Sequence, residues 1–138
     1  MSDHKIEHHE NLATLWARAW STQDTALFLS LFTDDANYCD LALGKSFRGR
    51  NGIKTFFEGT FGTFPDFKME IGRSAVTADI VVGEWVMTGT FLGESFGQAP
   101  TGKSLRIEGC CFMHVVGGRI VEHRDYWNSK TFDEQVAL

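Results

Sequence analysis

Apolar residues in the first part of the chain recur at intervals of three and four positions. In the segment spanning residues 5–21, the apolar residues with this spacing are Leu12, Leu15, Trp16, Ala19 and Trp20. Positions three and four apart lie on the same face of an α-helix. The pattern therefore predicts a first helix whose apolar face packs into the core of the protein.

A second, shorter helical pattern begins after Asp24. This residue is a suitable N-cap because its carboxylate can accept a hydrogen bond from the first helical turn. The apolar residues that follow are Leu27, Phe28, Leu31 and Phe32, and the predicted helix ends near Asp34 and Asp35. Residues 36–40 then predict a short strand, and the glycine-containing segment 44–52 is expected to form a loop.

A third helical pattern precedes a clear change in periodicity. Asn51 is expected to cap this helix, whose apolar side carries Ile53, Phe56 and Phe57. Beyond Pro65 the residues favour extended chain. They predict strands over residues 67–76, 79–91, 103–116 and 119–127, joined by glycine-rich connections, and a brief helix over residues 131–136.

The order of these elements, with helices first and strands second, is typical of an α+β domain. We expect a cone-shaped α+β barrel in which a curved antiparallel sheet wraps around the N-terminal helices. The brief last helix would lie over the open end of the cone. A length of 138 residues predicts a single domain, residues 1–138, with enough core to enclose a small-molecule pocket.

Composition narrows the classes of partner. The formal net charge of −5 and the absence of a basic block argue against a nucleic-acid surface or an anionic membrane as the partner. No apolar run approaches the roughly 20 residues that span a bilayer, so we expect a cytoplasmic protein. The three cysteines, Cys39, Cys110 and Cys111, are odd in number and include an adjacent pair, which predicts free thiols in a reduced compartment.

One acidic residue interrupts the last predicted strand. Gly117 and Gly118 supply a tight turn, and the β-branched and aromatic residues after them favour an extended chain that contains Asp125. Burying an ionised carboxylate without partners is costly. An aspartate on the inner face of this strand therefore predicts a pocket with a few polar groups rather than ordinary packing.

The register of the last hairpin decides which residues accompany Asp125, because a slip of one residue exchanges the two faces of a strand. A two-residue loop would place it opposite Cys110, on a face that is half charged. A three-residue loop with a left-handed Gly118 would group it with apolar residues, including Ile107, Cys111 and Met113. We favour the three-residue loop because it produces one consistently apolar inner surface. Along its own strand, alternation places Asp125 with Val121, His123 and Trp127, and places Ile120 on the opposite face.

Several short motifs resemble those of a known family. They are Phe64-Pro65-Asp66, Thr88-Gly89-Thr90, Pro100-Thr101-Gly102-Lys103, Gly118-Arg119-Ile120 and Asp125-Tyr126-Trp127. In this order they resemble the SnoaL-like polyketide cyclases, which belong to the superfamily of nuclear transport factor 2 and ketosteroid isomerase. The resemblance covers nearly the whole chain. It departs from the family at Phe91, where histidine is usual, and at Asn128, where an acidic residue is common.

The resemblance implies a cofactor-free acid/base function. In the cyclases, an aspartate of the final strand catalyses an intramolecular aldol closure of an aromatic polyketide ester, and it matches Asp125. His123 is expected to act with it as a second catalytic residue, without a metal or another cofactor. We expect a hydrophobic, oxygenated small molecule as ligand, in a site formed by Trp16, Trp20, Asp40, Trp85, Cys111, Met113 and Trp127. A homodimer is also expected.

Two alternatives remain open. Ketosteroid isomerases carry a general base in a segment that resembles residues 36–44 here, and Asp40 matches that base. Their oxyanion donors would correspond to Trp16 and to Cys110 or Cys111, of which the thiol is a weak donor. The second alternative is a non-catalytic ligand-binding or interaction domain, since the superfamily contains both kinds. His4, His8 and His9 resemble a zinc spacing only in part, and we predict no metal site.

Overall fold

The computed structural model describes the backbone of residues 2–138 and the side chains from Leu12 onward. Its helices confirm most of the predicted helical segments. They are α1 (Ser2–Thr22), α2 (Thr25–Ser30), α3 (Gly49–Thr63) and α4 (Ser129–Val136). Asp24 caps α2 as predicted, because its Oδ1 atom accepts a hydrogen bond from the backbone N–H of Leu27 at 3.0 Å. Within this described range, no helix is long and apolar enough to span a membrane.

Six strands form one curved sheet that does not close on itself. They are β1 (Phe32–Asp40), β2 (Lys45–Arg48), β3 (Lys68–Val76), β4 (Ile80–Thr90), β5 (Ser104–Val116) and β6 (Arg119–Trp127), in the spatial order β2-β1-β6-β5-β4-β3. The α+β prediction is confirmed. The expectation of a wholly antiparallel sheet is wrong, because β1 runs parallel to β6. The long connection between these two strands allows a parallel pairing, which a hairpin could not produce.

Strand pairing also changes the boundaries predicted for the first half of the chain. The predicted second helix would have included Phe32, but this residue begins β1 and pairs with Ile120 of β6. The segment expected to be a loop contains β2, which pairs with the end of β1. Arg48, rather than Asn51, is the N-cap of α3. In each case a partner distant in sequence provides backbone hydrogen bonds that the local pattern does not indicate.

The hairpin between β5 and β6 combines a tight turn with a bulge. Gly117 and Gly118 both have positive φ angles, 61° and 81°, and form a two-residue turn, so the predicted three-residue loop is wrong. A bulge at Val121 then shifts the register by one residue and places Asp125 opposite Cys111. The prediction that Asp125 lies on the inner face of the sheet is therefore confirmed, but the bulge produces this register and not a three-residue loop. Ile120 also faces inward and is fully buried, contrary to the strict alternation expected.

Aromatic side chains fill much of the space between the helices and the inner face of the sheet. Trp20 of α1 contacts a group of phenylalanine rings, Phe28, Phe56, Phe57, Phe61 and Phe67. The rings of Phe28 and Phe57 stack with a centroid separation of 4.0 Å. This core supports one side of the sheet, and the space between the sheet, α3 and α4 remains open as a cavity.

Candidate functional site

The cavity has a volume of about 480 Å³, which lies within the range of roughly 300–1,000 Å³ typical of small-molecule sites. Its wall is mostly apolar and includes the aromatic residues Trp20, Phe47, Phe56, Phe67, Trp85 and Trp127. Two carboxylates, Asp40 and Asp125, also line it. The cavity is therefore an apolar enclosure with a small number of charged groups, as the sequence predicts for a ligand site.

Asp125 lies on β6 with only 5% of its surface exposed. Three side chains surround its carboxylate. The hydroxyl of Tyr38 donates to Oδ2 at 2.7 Å, the indole N–H of Trp85 donates to Oδ1 at 3.2 Å, and Nε2 of His123 lies 2.8 Å from Oδ1. A carboxylate offers about four acceptor positions. Both positions on Oδ1 are therefore used, and one position on Oδ2 is left for a ligand.

His123 lies behind this carboxylate and is fully buried. Its ring stacks between Trp16 and Tyr38, with centroid separations of 5.0 Å and 4.3 Å. Its Nδ1 atom has no hydrogen-bond partner among the described residues. The tautomer with its proton on Nε2 leaves only an acceptor unpaired at Nδ1, whereas the tautomer with its proton on Nδ1 would bury an unpaired N–H. We therefore assign Nε2 as the donor to Asp125. The imidazole is not part of the cavity wall.

Tyr38 is a residue of this site that the sequence analysis did not identify. Burial raises the pKa of its hydroxyl well above the usual value, and the charge and hydrogen bond of Asp125 raise it further. The indole N–H of Trp16 is close enough to oppose this rise, although it does not reach hydrogen-bond geometry. The Tyr38 hydroxyl is thus a permanent donor at neutral pH. The sequence contains a signal for this residue, because Tyr38 lies two positions before Asp40 and therefore shares its face of the strand.

Asp40 lies beside Asp125, because the two residues pair across the parallel strands β1 and β6. The indole N–H of Trp127 donates to both of its oxygens, at 3.0 Å and 3.1 Å, and the backbone N–H of Leu43 donates to Oδ1 at 3.0 Å. Burial raises the pKa of Asp40, its hydrogen bonds oppose this rise, and the charge of Asp125 adds to it. The cavity therefore contains two neighbouring carboxylates with different surroundings.

The position of Trp85 depends on a glycine in the neighbouring strand. Trp85 of β4 pairs with Gly109 of β5, and its indole ring lies over that residue. A Cβ atom at Gly109 would lie only 2.4 Å from the ring, a distance that real Cβ contacts do not show. The missing side chain therefore makes room for the indole that donates to Asp125.

Three of the predicted ligand-contacting residues lie outside the cavity wall. Trp16, Cys111 and Met113 are buried on the inner side of the sheet, but none lines the cavity. Cys111 and Met113 pair with Asp125 and His123 across β5 and β6, and Trp16 stacks on the ring of His123. Burial, with the nearby charges of Asp125 and Cys110, raises the pKa of the Cys111 thiol far above its usual range, so it stays protonated. Trp20, Asp40, Trp85 and Trp127 do line the cavity.

The rim of the cavity comes from segments that the sequence analysis did not assign to the site. Glu94, Ser95, Phe96 and Gln98, between β4 and β5, and Phe132 and Asp133 of α4 contribute to it. Phe96 has a φ angle of 47°, and the ammonium of Lys45 lies 4.8 Å from the centre of its ring. These rim residues come from loops and a short helix, whose placement over the cavity is decided by tertiary packing.

Among the residues whose side chains the structure describes, no group of three or more histidine, cysteine, aspartate or glutamate side chains could hold a metal ion. His4, His8 and His9, which carry the partial zinc spacing, lie outside these residues.

Comparisons with known proteins agree on the fold. A family model described as SnoaL-like polyketide cyclase matches residues 10–136. No protein with a curated description matches the chain in sequence.

Solved structures cover nearly the whole chain. A protein with a ketosteroid isomerase-like fold from Catenulispora acidiphila, solved with trimethylamine, has a TM-score of 0.82 and 23% identity, with 92% of each chain covered. A candidate SnoaL-like polyketide cyclase from Jannaschia sp. CCS1 has a TM-score of 0.86 and 16% identity, covering 96% of this chain and 93% of its own. IdmH, a candidate polyketide cyclase from Streptomyces antibioticus, has a TM-score of 0.81 and 24% identity, covering 94% and 99%. At such identities the likeness shows a shared fold.

Proposed function

Because the chain belongs to the SnoaL-like polyketide cyclase family, we propose that it binds a hydrophobic, oxygenated small molecule and that Asp125 transfers protons on this molecule without a cofactor. One observation carries the proposal. The carboxylate of Asp125 lines a mostly apolar cavity and keeps one acceptor position unoccupied. A base in such a position can reach a C–H group of a ligand that has left bulk water.

The reaction that suits this arrangement is an intramolecular aldol closure. Asp125 takes a proton from a carbon next to a carbonyl group, and the C–H electron pair becomes an enolate. The enolate carbon then bonds to a second carbonyl carbon of the same molecule, whose oxygen becomes an alkoxide. Asp125 returns its proton to this alkoxide, so the product is an isomer of the substrate and no other reactant is required.

The neighbours of Asp125 act in this proposal as positioning residues. Tyr38, Trp85 and His123 hold the carboxylate in one orientation through their hydrogen bonds. His123 does not line the cavity, so its effect on a ligand passes through Asp125. Fixed partners of this kind keep a reacting group in a productive geometry. The predicted catalytic role of His123 is therefore narrowed to support of the base.

Trp20 contributes to the apolar part of the proposed ligand site. Its side chain lines the cavity and is 2% exposed, and it packs among the phenylalanine rings of the core. Large aromatic side chains provide much of the apolar contact area of ligand pockets. We infer that Trp20 contributes an apolar surface to the ligand.

The substitution Asp125→Asn tests the acid/base role. With linear aromatic polyketide methyl esters as substrates, ring closure is followed by chromatography and loss of the α-proton in D2O by NMR. We expect turnover to fall about a thousandfold, because an amide cannot act as the base, while ligand binding by calorimetry is retained. The matched control is Asp34→Asn, since the Asp34 side chain is 85% exposed. Unchanged turnover in Asp125→Asn would refute the acid/base role.

The isomerase alternative is less well supported by the geometry. Asp40 does line the cavity, but Trp16 and Cys111 do not, and Cys110 is exposed. The oxyanion donors that this alternative requires are therefore not in place around a ligand. The wild-type protein is also tested with a ketosteroid. If it binds the esters but converts neither them nor the ketosteroid, a non-catalytic ligand-binding domain becomes the better interpretation.

We also propose a homodimer that forms through the outer face of the sheet. This face carries Tyr126, which is 45% exposed, and Val116 at the end of β5, which is 56% exposed. Exposed apolar groups of this kind are favoured at protein interfaces. Light scattering coupled to gel filtration should give twice the mass of the chain, and Val116→Glu should shift the protein toward the monomer. A monomeric wild type at high concentration would contradict the proposal.

A further inference from the structure

The charged side chains that line the cavity are all acidic. Within the described part of the chain they are Asp40 and Asp125 on the sheet and Glu94 and Asp133 at the rim, and the lining contains no lysine, arginine or histidine. Lys45 contacts the rim residue Phe96 but is itself not part of the lining. A bound carboxylate or phosphate would therefore meet like charges and no fixed cation.

The two inner carboxylates, Asp40 and Asp125, strengthen the repulsion of a ligand anion. Asp40 and Asp125 face the cavity from adjacent positions of paired strands and are almost fully buried, at 6% and 5% exposure. Charges interact more strongly in a partly desolvated enclosure than in water. A ligand cation beside Asp40 would reduce the mutual repulsion of the two carboxylates and leave the unoccupied acceptor position of Asp125 for the C–H group of the ligand. A ligand anion would increase the repulsion.

The aromatic wall favours the same sign of ligand charge. The indole and phenyl rings of Trp20, Phe47, Phe56, Phe67, Trp85 and Trp127 line the cavity. The face of an aromatic ring carries negative electrostatic potential and attracts ammonium groups. Aromatic rings and carboxylates together form an environment that binds an organic cation through both its charge and its apolar surface.

We propose that the natural ligand is an apolar molecule that carries a protonated amine, and that the cavity excludes carboxylate and phosphate ligands. The inference rests on the proposed function, since it concerns the ligand of the same cavity. It adds a charge requirement that neither the family nor the acid/base role of Asp125 contains. The amine would lie near the carboxylates, and the apolar body would contact the aromatic wall.

A matched series of small probes tests the charge requirement. 1-Naphthylmethylamine, 1-naphthalenemethanol and 1-naphthoic acid share one ring system and carry a cation, a neutral hydroxyl and an anion at pH 7. Binding is measured by calorimetry and by quenching of the fluorescence of Trp85 and Trp127, which lie in the cavity wall. We expect the amine to bind about tenfold more tightly than the alcohol and the acid to bind more weakly than either.

Rim variants separate the local charges from the net charge of the protein. The double variant Glu94→Gln with Asp133→Asn should lower the preference for the amine over the alcohol about fivefold, because two rim carboxylates are neutralised. The control is Glu84→Gln with Glu134→Gln, which removes the same net charge from residues outside the lining. This control should keep the wild-type preference. An equal loss in both double variants would overturn the assignment of the preference to the cavity.

The outcomes distinguish this inference from the proposed function. If the acid binds as tightly as the amine, or the alcohol binds as tightly as the amine, the charge requirement is wrong while the cavity remains a ligand site. If none of the three probes binds but an aromatic polyketide ester does, the charge requirement is also wrong. If no apolar ligand of any charge binds, the proposed function itself fails.

Discussion

Asp40 and Asp125 are adjacent in the sheet and line the same cavity, yet the protein surrounds them differently. Asp125 is held by three side chains, Tyr38, Trp85 and His123, which come from β1, β4 and β6. Asp40 is held by Trp127 and by the backbone of the turn that follows β1. The first carboxylate is supported from behind by a buried aromatic stack. The second lies at the end of its strand, where the chain turns.

The difference indicates how one cavity can assign separate roles to two identical side chains. Support from several strands fixes the orientation of Asp125, as expected of a group that must meet a reacting atom. The local cap around Asp40 resembles the turn interactions that aspartate commonly makes at a strand end. We therefore expect Asp125 to govern chemistry, and Asp40 to govern local stability and the electrostatic potential of the cavity.

The largest expected contrast is in turnover. Asp125→Asn should reduce ring closure about a thousandfold, whereas Asp40→Asn should reduce it by less than about tenfold, because only the first removes the proposed base. Steady-state rates of the two variants on the same ester provide the measurement. Equal losses in both variants would show that the two carboxylates act as one catalytic unit, and the distinction between them would be wrong.

A substitution at Gly109 should displace Trp85, a hydrogen-bond donor to Asp125, and leave the hydrogen bonds of Asp40 intact. In Gly109→Ala the new methyl group would overlap the Trp85 ring, which must move away from the carboxylate. Overpacking of this kind should lower the free energy of unfolding by about 3 kcal/mol. Urea denaturation measures the effect. Gly62→Ala is the control, since its Cβ meets nothing within 4 Å in α3, and it should be neutral or stabilising by about 0.5–1 kcal/mol.

Removing one hydroxyl tests the support of Asp125 more finely. Tyr38→Phe deletes the 2.7 Å hydrogen bond to Oδ2 and should cost about 1 kcal/mol of stability. Turnover should fall about tenfold, mainly through kcat, because the carboxylate loses a positioning partner. Tyr126→Phe, on the exposed side of the same sheet, is the matched control and should keep the wild-type kcat. A change confined to KM would contradict a positioning role.

The smallest expected effect is in the pH dependence of stability. Burial raises the pKa of Asp40 in the folded protein above that of an unfolded aspartate, so the native state holds this proton more tightly. Its contribution to stability is fully present below the unfolded pKa and is lost as pH rises through the folded value. The difference in the free energy of unfolding between the wild type and Asp40→Asn should therefore favour the wild type more at pH 4 than at pH 7. Urea midpoints that favour the wild type more at pH 7 than at pH 4 would contradict a raised pKa of Asp40 in the folded protein.

The amino-acid pattern determined much of this protein without tertiary information. Helical spacing located α1, Asp24 marked the start of α2, and alternation located the four strands after Pro65. An aspartate in the final strand indicated a polar group inside an apolar face. These features depend on neighbours close in sequence, so local spacing, capping and turn residues contain the necessary information.

Only the tertiary structure decided which residues meet. The bulge at Val121 set the register of Asp125, and the parallel pairing of β1 with β6 placed Asp40 and Tyr38 beside it. Core packing buried Trp16, Cys111 and Met113 outside the cavity wall. Each of these results depends on hydrogen bonds or contacts between segments far apart in the chain. Such pairings are selected by the packing of the whole domain, and for that reason no local pattern predicts them.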